Sequence, residues 1–118
     1  MTVVGVHHVS IGVQDVDAAV EFYGWLGLTK LPRPDFGFPG AWLQAGEQQV
    51  HLFGTDKTPP GIENHYAFLV EDLEATVATL AEHGVTARVS DRLPGAGYQA
   101  FLQDPSGNVV ELNQPDPR

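Results

Sequence analysis

The chain has 118 residues, enough for one domain with a real core or two very small units that share one, and too few for a second large domain. Hydrophobic residues make up 42% and charged residues 18%, and no low-complexity tract interrupts them, which excludes a disordered chain. Lys and Arg number 6 against 15 Asp and Glu, a formal charge of −9 that argues against nucleic acid or an anionic membrane as partner, and the lack of cysteine excludes disulfides and thiolate metal sites.

The opening stretch TVVGVHHVSIGV reads as a strand. It lacks the basic start and long apolar run of a signal peptide, and no later stretch approaches the length of a membrane span, so a cytoplasmic location is the default expectation. Val9, Ile11 and Val13 form the apolar set of this strand, and His8, Ser10 and Gly12 face the other way. An acidic turn follows, with Asp15 as the expected N-cap of an amphipathic helix carrying Val16, Val20 and Tyr23 and stopping at Gly27.

The proline-rich stretch LPRPDFGFPG reads as a loop, from which Arg33 could pair with an anionic substrate group. AWLQAG and QQVHLFG then read as strands. In the second, Val50 and Leu52 form the apolar set, while His51 shares its face with Gln49 and with Phe53, a candidate substrate contact. DKTPPGIEN links this half to the next.

From His65, the segment HYAFLVEDLEATVATLAEHG can be laid on HVSIGVQDVDAAVEFYGWLG from His8 without a gap. Identical pairs are His8/His65, Val13/Val70, Asp15/Asp72, Ala18/Ala75, Val20/Val77 and Gly27/Gly84. Asp72 is the matching N-cap, Leu73, Val77 and Leu80 the apolar stripe, and Gly84 the C-terminal cap. TARVS, YQAFLQD and NVVELNQ are the strand-like runs after this helix, and the tail NQPDPR looks loose. The chain is therefore expected to be a single α+β domain of two βαβββ modules, approximately 1–56 and 62–114, with 115–118 as a loose tail. Two helices cannot cover both faces of a doubly wound parallel sheet.

Strand alternation sets the second-half polar residues on the same kind of face as the first. Tyr66, Phe68 and Val70 oppose His65, and Val110 and Leu112 oppose Glu111. His8, His51, His65 and Glu111 thus all point away from the helices, and each half supplies one residue from its first strand and one from its last. Three imidazoles and a carboxylate suit a divalent transition metal such as Zn, Ni, Mn, Co or Fe(II), whereas Ca or Mg would want more oxygen. A cation would also explain why Glu111 tolerates its apolar neighbours. His7, on the opposite parity to His8, and His83, at the end of a helix, read as ordinary surface residues.

The stretches HHVSIGVQDVDAAVEFYGWLGL, HYAFLVEDLEATVATLAEHGV and FLQDPSGNVVELNQ resemble the vicinal oxygen chelate superfamily of glyoxalase I, thiol transferases, an epimerase, extradiol dioxygenases and bleomycin-resistance proteins. The resemblance implies paired βαβββ modules with curved mixed sheets forming a metal-binding cup, completed in a homodimer whose sites are shared between chains. It matches His8, His65 and Glu111 to ligand positions common to most members, and His51 to a fourth position that is Glu in bacterial glyoxalase I and Gln in the epimerase. With His51 there, Glu111 is the only carboxylate of the four and the expected catalytic proton carrier.

The implied activity is that of a metal-dependent, glyoxalase-like lyase or isomerase acting on a small molecule that chelates the metal through neighbouring oxygens. An extradiol dioxygenase and an antibiotic-modifying thiol transferase are the other enzyme readings. A drug-binding protein of the bleomycin-resistance kind, sequestering its ligand in an acidic cup, is the non-catalytic one.

Overall fold

Residues 2, 5–92 and 94–116 are described by the computed structural model, and they repeat one order of elements twice. The first unit, Met1–Pro59, contains β1 (His8–Val13), α1 (Val16–Trp25), β2 (Thr29–Leu31), β3 (Gly40–Ala45) and β4 (Gln48–Gly54). The second, Pro60–Arg118, contains a short 3-10 turn (Ile62–Asn64), β5 (Tyr66–Leu69), α2 (Leu73–Glu82), β6 (Arg88–Val89), β7 (Tyr98–Gln103) and β8 (Val109–Gln114). Each unit is a βαβββ module with a four-stranded mixed sheet, ordered β1-β4-β3-β2 and β5-β8-β7-β6. In both, the first strand pairs parallel with the last and the remaining pairs are antiparallel.

The helices start and stop as their sequences dictate. Asp15 and Asp72 are extended N-caps whose side chains accept the backbone N–H of Ala18 and Ala75, each at 3.0 Å. At the other end Gly27 and Gly84 take φ of +93° and +79°, a region that costs any residue with a Cβ. Each donates its N–H to a carbonyl three residues back, and Leu28 and Val85 donate to Tyr23 and Leu80, so both helices end in a Schellman motif.

The cores lie between one helix and the inner face of one sheet. In the first unit Ala19, Phe22 and Tyr23 of α1 are buried with Val13, Ala41, Leu43, Val50 and Leu52. In the second Leu73 and Leu80 of α2 are buried with Ala100, Leu102, Val110 and Leu112. The buried stripe of α1 is therefore offset from the expected one, because Phe22 fills the space against the sheet while Val16 and Val20 are only half-buried.

Two further expectations change. The edge strand β2 lacks any apolar alternation in Thr29-Lys30-Leu31, and it forms by pairing with β3. The supposedly loose tail is tied down at its start: Asn113 and Gln114 belong to β8, the Gln114 side chain accepts the Leu73 N–H at 2.8 Å, and Asp116 accepts the Gly95 N–H at 3.0 Å. Residues 117 and 118 lie outside the described residues.

Candidate functional site

Burial follows the expected alternation in β4, where Val50 and Leu52 are buried at 2% exposure and His51 between them is half-buried on the opposite face. The antiparallel register sets Trp42 of β3 opposite His51, and the parallel register sets Ser10 of β1 there. Neighbouring strands are close enough for rings to stack across the sheet. Trp42 lies 4.5 Å from His51 at 11° between planes, and His51 lies 3.9 Å from His8 at 14°.

Gln49, on the same face, points its Oε1 at the His51 Nε2 at 2.9 Å. Since that amide oxygen can only accept, Nε2 carries the proton in this arrangement and the neutral ring keeps its lone pair on Nδ1. Burial is the main cause holding the His51 imidazole below its ordinary pKa, with the positive potentials of His8, His7 and Arg33 acting in the same direction.

His7 departs from the simple parity reading. It precedes β1, so alternation does not fix its ring, and its Nδ1 lies 2.9 Å from the His8 Nδ1. His83 is the exposed C-cap residue of α2.

The second unit places His65 just before β5, in extended backbone directly after the 3-10 turn. That turn brings the Ile62 carbonyl against the His65 Nδ1. A carbonyl only accepts, so Nδ1 donates and Nε2 is the outward-facing nitrogen. It faces the Glu111 Oε1 at 3.0 Å. The Ile62 carbonyl is the largest influence on His65 and raises its pKa, partial burial pulls it down, and the hydrogen bond and charge of Glu111 raise it further.

Glu111 is only 6% exposed although it points to the polar face. Its Oε2 accepts from Asn113 Nδ2 at 3.0 Å and from Gln99 Nε2 at 3.2 Å, and Asn113 Nδ2 is also 3.2 Å from the Ala96 carbonyl. Gln99 pairs with Asn113 across β7 and β8, so both amides stand on the face of Glu111. Sequence alone singles out neither. Asn113 was within reach of it, being two residues from Glu111 on one strand, whereas Gln99 needed the register of two strands.

The arrangement of His65 and Glu111 has a chemical requirement. With Nδ1 donating to Ile62, the His65 Nε2 can bond an ionised Glu111 only if a cation lies between them, either a proton or a metal ion. Two donors about 2.1 Å from one ion stand roughly 3 Å apart when they subtend about a right angle, so the pair has the spacing of two adjacent ligands. Imidazole nitrogen and carboxylate oxygen are donor types that suit a divalent transition metal. Among the described residues no three His, Asp or Glu side chains group closely enough to hold an ion.

Arg33 is half-buried rather than freely solvated. Its guanidinium carbon lies 5.0 Å from the Phe36 ring and 4.9 Å from the Phe38 ring, and its Nη2 donates to the Phe38 carbonyl at 3.2 Å. Phe53 is 46% exposed and packs at 4.4 Å against Phe38. No helix among the described residues is long and apolar enough to cross a membrane.

A family model described as the Glyoxalase/Bleomycin resistance protein/Dioxygenase superfamily matches residues 5–112. A Vibrio cholerae serotype O1 protein named as a lactoylglutathione lyase is 28% identical, over 91% of this chain and 88% of its own. Two mycobacterial relatives align with the chain at 37% identity over 81 residues, and the chain spans only 30% of their length. Among solved structures, the antibiotic-binding protein TnmS3 of Streptomyces sp. CB03234 superposes with a TM-score of 0.82 at 28% identity, over 98% of this chain and 99% of its own. The E126Q mutant of the fosfomycin resistance protein FosX of Listeria monocytogenes, complexed with Mn(II) and a dihydroxypropylphosphonic acid, has the same fold, with a TM-score of 0.85 at 15% identity over 98% and 95% of the two chains.

Proposed function

The chain belongs to the Glyoxalase/Bleomycin resistance protein/Dioxygenase superfamily, and from that premise we propose that it is a metal-dependent, glyoxalase-like enzyme of the lyase or isomerase type, acting on a small molecule with two neighbouring oxygens. The observation that carries the reading is the His65–Glu111 pair, whose facing nitrogen and oxygen stand 3.0 Å apart, a spacing at which either a proton or a metal ion can join them. His8, His51, His65 and Glu111 would hold the ion. When bound, it supplies Lewis acidity to the substrate oxygens and stabilises negative charge developing on them.

The chain's own residues do the rest. Gln99 and Asn113 hold Oε2 of Glu111 and so fix the carboxylate with Oε1 toward His65, and Glu111 is the proposed carrier of the proton, being the one carboxylate of the four. The Ile62 carbonyl fixes the ring of His65 with Nε2 outward, as carbonyls commonly do for ligand imidazoles. The active form proposed is a cytoplasmic homodimer, in which His8 and His51 of one chain and His65 and Glu111 of the other serve one ion.

Elemental analysis of the natively purified protein, followed by titration of the stripped protein with Mn(II), Zn(II) and Ni(II), tests the reading. About one ion per chain is expected, lost in Glu111→Ala. A protein that binds none of these ions would instead favour a non-catalytic binder, the reading supported by the 28% identity to an antibiotic-binding protein.

A further inference from the structure

Between β2 and β3 the chain builds a proline-rich loop whose side chains have no role in the fold described above. Pro32 and Pro34 bracket Arg33, and Pro39 leads into β3. The Asp35 side chain accepts the Gly37 N–H at 2.9 Å, closing a tight turn in which Gly37 has φ of +83°. This scaffold holds Phe36 and Phe38 in the open, at 51% and 37% exposure. Phe53, two residues beyond His51 on the same face of β4, adds a third exposed ring.

The rings are continuous with the candidate metal residues. Phe53 lies 4.4 Å from Phe38, Phe38 is 5.9 Å from Phe36, Phe36 is 5.9 Å from Trp42, and Trp42 stacks on His51. A contiguous exposed apolar patch of this kind marks a contact surface, and its position next to His51 puts it on the substrate side of the sheet.

Arg33 gives that surface a charge. Its guanidinium rests between Phe36 and Phe38 over the notch of Gly40, where an added Cβ would come within 2.8 Å of Nη2. Among the described residues it makes no ion pair, and one of its five N–H groups bonds the Phe38 carbonyl. A cation held by packing loses little rotamer freedom when an anion arrives, so the site is preorganised for one.

We propose that Phe36, Phe38, Trp42 and Phe53 around Arg33 recognise a flat, conjugated substrate that carries a carboxylate or similar oxyanion. The rings take its face and the guanidinium takes its charge. This narrows the substrate class of the proposed enzyme and rests on that reading for its link to catalysis. Binding of the flat anion itself needs no metal, which allows the two to be tested apart.

The test uses 2-naphthoate as the flat anion, 2-naphthalenemethanol as its neutral counterpart and cyclohexanecarboxylate as the non-flat anion. Each is titrated calorimetrically into metal-free and Mn(II)-loaded protein. Naphthoate is expected to bind both forms and the other two more weakly. Arg33→Gln should weaken naphthoate by about tenfold or more and leave the neutral compound unchanged, because a charge-assisted hydrogen bond is lost. Phe53→Leu, which keeps apolar bulk but removes the ring, should weaken both flat compounds.

Absence of naphthoate binding overturns the proposal, as does equal binding of cyclohexanecarboxylate or an Arg33→Gln variant that binds like the wild type. Loss of dimerisation in Phe53→Ser, seen by sedimentation together with no naphthoate binding, would assign the patch to a second copy of the chain. A protein that binds no metal yet shows the full naphthoate pattern would sink the metal reading and leave this one standing.

Discussion

Glu111 sits buried between Val110 and Leu112 because three side chains compensate it: His65 on one oxygen, Gln99 and Asn113 on the other. Removing ligand candidates should show in metal content. His8→Ala, His65→Ala and Glu111→Ala are each expected to abolish stoichiometric binding in elemental analysis, with His83→Ala as the unaffected control. Gln99→Leu and Asn113→Leu should weaken Mn(II) by roughly 10- to 100-fold in calorimetric titration, since they release the carboxylate without removing a ligand. Proton linkage supplies an independent check. Because the folded pKa of His65 is raised above its ordinary 6.5, its contribution to stability in metal-free protein is full below that value and fades as pH rises through the folded value. The urea stability difference between wild type and His65→Gln should therefore be largest at acidic pH and shrink as pH rises above the ordinary 6.5. A difference that grows with pH would mean that the imidazolium is not the favoured form. At this scale strand alternation was enough to place His51 and Glu111 on the polar faces of their strands. It could not fix His7 or His65, which lie outside strands, nor pair Gln99 with Asn113, which takes register as well as parity.

The two helices are legible from end to end because their caps are local: an Asp accepting an N–H three residues on, and a glycine turning left-handed after the last turn. Gly84→Ala puts a Cβ into φ of +79° and should cost about 1–2 kcal/mol in urea unfolding. Gly24→Ala is the informative contrast, because Gly24 lies within α1, has no positive φ and nothing within 4 Å of an added Cβ. It should stabilise by about 0.5–1 kcal/mol. Equal effects at both glycines would refute the capping account. What sequence could not supply was β2, whose existence depends on pairing with β3, and the rotation of α1, which depends on how Phe22 fills the sheet face. Both are decided by contacts distant along the chain.

For the whole molecule, a ligand that binds only the folded state stabilises it by mass action, so chelator should lower the melting temperature of metal-loaded protein. Whether the ion is shared between chains can be read from mixed dimers of His8→Ala with Glu111→Ala. Neither parent binds metal in the proposed scheme, and a shared arrangement restores one intact site per heterodimer. A purified heterodimer that binds no metal would refute sharing. The parallel pairing of β1 with β4 and of β5 with β8 carries a kinetic consequence. In the second unit His65 immediately precedes the first strand and Glu111 lies in β8, which pairs directly with β5, so the two meet only after α2, β6 and β7, which lie between them along the chain, have been made and β8 has inserted between β5 and β7. Closing that long loop is slow and depends on every intervening element. As the chain emerges in synthesis, His65 stays without its carboxylate until the last strand docks, and a chain cut before β8 would have all its helices and no way to grip an ion in that half. In the proposed scheme, metal capture by this unit would thereby report that β8 has docked.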